Sequence, residues 1–168
     1  MDTTGLLVAC KSDQAHRVLS DNFKVHDIHR VYTAIVYNQF ATDEGTINKP
    51  IARHKTDRKK MAIDPNGRHA VTHYRVIERL KQNFSLVECE LETGRTHQIR
   101  VHMASTGHPL LGDTLYHSDD KISSCASFSR AALHAWKVSF QHPFRDEMLL
   151  LEAPLPFDFR ELVSLSRV

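Results

Sequence analysis

Apolar positions in this chain fall into short alternating runs broken by polar turns, with a helical period in only a few places. Leu6 to Ala9 is a brief apolar run suited to a buried strand. Ser12 stands where its hydroxyl can cap a following helix, with Ala15, Val18, Leu19 and Phe23 on the apolar face. Arg30 to Val36 alternates and is rich in β-branched residues. This predicts a strand with Val31, Thr33 and Ile35 on one face and Tyr32, Ala34 and Val36 on the other. Gly45 to Ile51 reads as a turn leading into an irregular segment. Thr72 to Ile77 and Phe84 to Leu91 are two strands joined by the polar stretch 78–83, which makes a hairpin. Residues 117–129 are rich in Ser and Asp without an apolar period and read as a surface loop. Leu133 to Phe140 alternates, with Trp136, Val138 and Phe140 on one face, and Leu149-Leu150-Leu151 begins another strand across the turn at 142–146. Asp158 and Glu161 predict a capping box for a short last helix.

Between the hairpin and the loop lies the most polar well-bounded segment, Gly94-Arg95-Thr96-His97-Gln98-Ile99-Arg100-Val101-His102. Thr96 as N-cap, Ile99 and Met103 four apart, and Gly107 followed by Pro109 predict a helix of about three turns. On it His97, Arg100 and Ala104 share a stripe with room for something flat or anionic. A fixed guanidinium can hold a carboxylate or phosphate through paired hydrogen bonds. The same spacing also describes a solvated helix face, and Tyr32 read by pattern alone is a core tyrosine on a strand.

Length changes the picture only by limiting it: 168 residues suffice for one domain with its own core and not for two. The 41% hydrophobic and 25% charged residues are ordinary for a soluble globular protein, and no apolar run reaches the length of a membrane span. Nothing at the N-terminus reads as a secretory leader, so a cytoplasmic location is expected. Cys10, Cys89 and Cys125 are too far apart for a disulfide framework or a zinc site, which predicts buried reduced thiols. Charge is informative through its distribution. Net charge is +2, yet the seventeen residues from Arg53 to His69 carry Arg53, Lys55, Arg58, Lys59, Lys60 and Arg68 against two aspartates, a surplus of four.

Leu91 to His102 and Gly107 to Tyr116 match almost letter for letter the pattern Leu-x-Thr-Gly-Arg-Thr-His-Gln-Ile-Arg-Val-His and Gly-His-Pro-x-x-Gly-Asp-x-x-Tyr. That pattern is the signature of the RluA-type pseudouridine synthases, which this chain resembles. Thr3 to Val8 resembles the latter part of the family's Asp-x-x-Thr-Ser/Thr-Gly-Leu-Leu-Val motif. Ala131-Leu133-His134-Ala135 and Phe140-Gln141-His142-Pro143 match its closing pattern. The resemblance implies an α+β fold, a mixed and mainly antiparallel central sheet with flanking helices, from which the first strands are missing so that some core surface is exposed.

It also implies isomerisation of uridine to pseudouridine in structured RNA, rRNA or tRNA, without cofactor or metal. Arg100 falls on the arginine that holds the nucleophilic carboxylate, and Tyr32, in a Lys/Arg-x-Tyr-x-Ala pattern, on the tyrosine that lies against the target uracil. The basic residues Arg53, Lys55, Arg58, Lys59, Lys60 and Arg68, with Arg95, become expected phosphate contacts. The family's aspartate ends His-Arg-Leu-Asp three positions before Thr3, which places it just upstream of Met1. Asp2 is no substitute and reads as a surface or turn residue. The chain by itself is therefore expected to be inactive, and an RNA-binding protein of the same fold without catalysis is the rival reading.

Twelve histidines raise the question of a metal, and geometry answers it. His97 and His102, five apart, project about 140° from one another around a helix, and no His-Glu-x-x-His is present. No Gly-x-Ser-x-Gly elbow supports a hydrolase.

Overall fold

The computed structural model describes residues 3–24, 28–117 and 128–167. Among these residues nine strands and three α-helices succeed one another as β1 Thr4–Gly5, α1 Asp13–Lys24, β2 His29–Tyr37, β3 Glu44–Asn48, β4 Ile51–Arg53, β5 Met61–Ile63, β6 Val71–Leu80, β7 Phe84–Leu91, α2 Gln98–Ser105, β8 Leu133–Gln141, β9 Met148–Glu152 and α3 Phe157–Leu165. Seven strands form one sheet in the order β1-β8-β2-β7-β6-β3, with β9 also on β8, while β4 and β5 form a separate hairpin. Every pairing is antiparallel except β1 with β8. The expected α+β architecture with a mainly antiparallel sheet is therefore present.

Alternation along the central strands gives each face of the sheet its own core. Ala34 and Val36 of β2 and Val87 and Cys89 of β7 face α2, where Ile99 and Met103 pack on them. Ile35 and Leu86 point the other way, against Phe159, Leu162 and Val163 of α3. Leu19 of α1 packs with Ile28, Val138 and Phe140. At roughly 25 cal/mol per Å² of buried apolar surface, these clusters supply the main drive for folding.

Several elements differ from the sequence expectation for identifiable reasons. The first strand lies at Thr4–Gly5 and not at Leu6 to Ala9. Gly5, at φ +99°, passes so close to Ala135 that a Cβ there would overlap its backbone. Beyond it the chain leaves β8 after one bond from the Leu6 amide to the Ala135 carbonyl, and Leu7 is 83% exposed. Cys10, on this departing segment, is exposed, contrary to expectation, whereas Cys89 is buried. Ser12 does cap α1, its hydroxyl accepting from the Ala15 amide, but Phe23 ends up on the surface. The segment from Gly45 is a strand, since Ile47 is buried and all of β3 pairs with β6. A bulge between Val76 and Glu78 carries β6 on to Leu80, before the turn in which Gln82 and Asn83 adopt positive φ. At the last helix the N-cap is Pro156, with no side-chain cap, and Asp158 instead pairs with Arg130. Asp2, Cys125 and most of the expected loop at 117–129 lie outside the described residues. Among the described residues no helix is long and apolar enough to cross a membrane.

Candidate active site

The central helix is shorter than expected and begins later. His97, at φ 55°, is the N-cap of α2, and the eight residues Gln98–Ser105 make little more than two turns. Thr96 is not the cap, and His97 sits outside the helix. The end conforms to expectation: the Gly107 amide bonds to the Ala104 carbonyl, the His108 amide to the Met103 carbonyl, and Gly107 has φ +81°. This is the glycine-terminated arrangement that satisfies the last carbonyls of a helix.

The start of α2 has no side-chain cap, and the loop before it is held instead by Gln98, which is 3% exposed. Its Oε1 accepts from the Thr93 hydroxyl at 2.8 Å and from the Arg95 amide at 2.9 Å, while its Nε2 donates to the Val71 carbonyl at 2.8 Å and the Thr72 hydroxyl at 3.1 Å. His102 extends the network. A carbonyl only accepts, so the contact at 2.9 Å with Lys49 places a proton on Nε2, and Nδ1 of the neutral ring accepts from the Thr72 hydroxyl at 2.9 Å. Burial pushes the His102 pKa down, partly offset by the bond to the Lys49 backbone. These side chains fasten α2 to β6 and fix the loop before it.

Arg100 projects from the helix so fastened. Its Nε and Nη2 donate to the two oxygens of Asp113, each at 2.6 Å, and the guanidinium carbon lies 5.1 Å from the centre of the Tyr116 ring. Asp113 is buried and also accepts from the amides of Leu115 and Tyr116. Such a two-pronged pair fixes the plane of the guanidinium as well as its position. Asp113 and Tyr116 were not singled out as site residues from sequence. Both stand in the Gly-Asp-x-x-Tyr run, but nothing in the run says which cation they face.

Tyr32 lies on the same face of the sheet as α2, packed against the cluster containing Ile99 and Met103. It also lines a cleft of about 210 Å³ with Leu6, Leu7, Val8, Arg30 and Lys137. Burial raises the phenol pKa above its ordinary range, with Arg30 nearby working in the opposite direction, so the group is a neutral phenol at neutral pH. The Arg100 guanidinium is turned to Asp113 and Tyr116, and the charged neighbour of Tyr32 is Arg30.

The basic segment is the hairpin β4–β5 and its tip. Arg53, Lys55, Arg58 and Lys59 are exposed, as is Arg68 just beyond, and Lys60 is half-buried. Asp57 is spent on the turn, accepting from the Lys59 amide, and Arg53 donates to the Arg58 carbonyl. None of these cations forms an ion pair with a carboxylate among the described residues. Arg95 is partly engaged, its Nε donating to the His69 carbonyl at 2.9 Å. The hairpin is tied to α2 through one phenol: the Met61 amide donates to Tyr116 Oη at 2.8 Å, and that oxygen lies 2.8 Å from His97 Nδ1. Val101 packs with Ile51 and Ala70 beneath it. Among the described residues no group of His, Cys, Asp and Glu is arranged to hold a metal ion.

Comparison with known proteins shows the family. A sequence model of the family described as RNA pseudouridylate synthase matches residues 1–105. The chain is 48% identical over 163 residues to the RNA pseudouridine synthase YlyB of Bacillus subtilis, covering 97% of this chain and 52% of that protein. It is 46% identical over 170 residues to ribosomal large subunit pseudouridine synthase D of Zymomonas mobilis, covering 98% and 53%. The chain thus spans about half the length of the curated relatives it matches. Among solved structures, human RNA pseudouridylate synthase domain containing 1 superposes with a TM-score of 0.74 at 27% identity, over 88% of this chain and 62% of that one. Since the family model matches more than half of this chain, nearly half the residues are identical to those of the curated relatives, and the fold is shared, this chain belongs to the RluA-type RNA pseudouridine synthases.

Proposed function

We propose that this chain carries the body of a site that isomerises uridine to pseudouridine in structured RNA, rRNA or tRNA, with the nucleophilic aspartate contributed from just upstream of Met1. The observation that carries this reading is the guanidinium of Arg100, held in one plane by buried Asp113 and borne by a helix that packs, through Ile99 and Met103, on the face of the sheet where Tyr32 lies. Strand direction supports it. β1 runs parallel to β8, with Thr4 opposite His134 and Gly5 opposite Ala135, so Thr4 is the end of β1 nearer to Ala132. Ala132 is bonded to Leu111, two residues from Asp113. Exposed Met148 and Leu150 offer apolar surface that an upstream segment would cover.

The chemistry accounts for the residue types. The aspartate attacks the nucleoside, the glycosidic C–N bond breaks, the uracil turns, and C5 joins the sugar as the bond to the aspartate breaks and frees the carboxylate. C5 loses a proton and N1 gains one, so the reaction balances without a co-reactant. An ionised carboxylate needs a fixed cation beside it, which is the role of Arg100. A base flipped out of an RNA stack recovers part of the lost stacking on an aromatic face, the role of Tyr32, whose neutral phenol can also relay the C5 proton. The basic hairpin holds the RNA backbone.

The experiment compares residues 1–168 with the same chain preceded by His-Arg-Leu-Asp and its native upstream sequence, on rRNA and tRNA transcripts. Turnover by the extended chain alone is expected, with Arg100→Ala and Tyr32→Ala nearly inactive while still binding RNA. Pseudouridine made by residues 1–168 would overturn the upstream nucleophile. RNA binding with no turnover in either form would leave a binding protein.

A further inference from the structure

Arg30 lines the cleft beside Tyr32 but has so far been given no role in binding or catalysis. It opens β2 two residues before Tyr32, and its guanidinium carbon lies 5.1 Å from the centre of the Phe23 ring. On the other side Nη1 reaches Gly94 so closely that a Cβ there would overlap it. The absence of a side chain at the first residue of the Gly-Arg-Thr-His segment is what lets the guanidinium lie there. Its Nε is buried with no hydrogen-bond partner, and no carboxylate pairs with the group among the described residues. The other cation in the cleft, Lys137, is already committed, its Nζ 2.7 Å from Glu152 and over the Trp136 ring.

The cleft therefore combines an apolar wall of Leu6, Leu7 and Val8, one aromatic face from Tyr32, and one uncompensated planar cation. A partly desolvated guanidinium is costly unless an anion meets it, and its fork suits two oxygens of one phosphate. The wall and ring suit a base, while the cation suits what is attached to it. We propose that Arg30 is a phosphate subsite, binding a phosphodiester next to the uridine that lies against Tyr32. Burial lowers the Arg30 pKa, the direction expected of a cation waiting for its counter-ion. The inference rests on the proposed uridine site.

The test is an NMR chemical-shift titration of residues 1–168 with uridine and with uridine 3′,5′-bisphosphate. The wild type is expected to bind the bisphosphate at least about tenfold more tightly, as one charge-assisted contact supplies. Arg30→Gln is expected to bring the two ligands together and Arg30→Lys to keep part of the preference, with shifts centred on Leu7 and Tyr32. Equal binding of both ligands by the wild type, or an undiminished preference in Arg30→Gln with a native spectrum, would overturn the subsite while leaving the uridine site intact. No shift with either ligand, together with no binding of an RNA transcript, would remove the uridine site and the subsite with it.

Discussion

Arg100 and Asp113 form a two-pronged ion pair in which both carboxylate oxygens accept at 2.6 Å, and the Asp113 side chain is fully enclosed. The arginine that the motif assigns to a nucleophile is thus already oriented by a second carboxylate thirteen residues on. In the proposed mechanism Asp113 is a positioning residue. Asp113→Asn retains the shape but withdraws the charge, and it is expected to destabilise the fold by about 3 kcal/mol, the order found when one partner of a buried pair is removed. Chemical denaturation measures this. In an active extended chain kcat should fall more than KM rises, whereas a purely structural role would leave kcat of the folded fraction unchanged.

Gln98 uses both acceptor and both donor positions within the protein. Gln98→Ala leaves the Arg95 amide and the Thr93 hydroxyl without that partner and is expected to cost about 2 kcal/mol. Amide hydrogen exchange should report it first at Arg95 and at the start of α2.

The Tyr116 hydroxyl is the link from the basic hairpin to α2. Tyr116→Phe is expected to cost about 1 kcal/mol and to speed exchange of the Met61 amide, whose acceptor is removed. Unchanged protection of Met61 would show that the hairpin is held by the Val101 packing alone.

Hairpin charge should be visible in salt dependence. Changing Arg58, Lys59 and Lys60 together to glutamine is expected to reduce the slope of log K against log salt for RNA binding by about two to three, with little change in stability. An unaltered slope would place the phosphate contacts elsewhere.

His102 predicts a pH dependence of stability. Its pKa is lowered in the folded chain from the ordinary 6.5, so the unfolded chain binds the proton more readily. Its contribution is complete above about pH 6.5 and is lost as pH falls below that toward the folded value. Urea midpoints of the wild type should decline through this window. His102→Gln should start lower at pH 7 and decline less.

Much of the framework was legible from alternation and turns. β2, β7, β8 and β9 stand close to where the pattern put them, because short apolar runs bounded by polar turns favour strands locally, and successive side chains of β2 and β7 pack on opposite faces of the sheet. The family was legible from Leu91 to His102 and Gly107 to Tyr116, since a long run of mixed polar types is specific without any structure. The first and third strands were not. A short apolar run does not say whether Leu6 or Thr4 meets a neighbour, and β3 is held by its pairing with β6 more than by its own pattern. The site divides in the same way. Arg100 and Tyr32 could be named from sequence, but that Arg100 faces Asp113, that Gln98 ties the loop before α2 to β6, and that Arg30 lies beside Gly94 with no carboxylate partner among the described residues depended on tertiary contacts. Periodicity records which side of an element is buried. Only the folded chain decides which group stands opposite, because that choice is made by contacts between residues far apart in sequence.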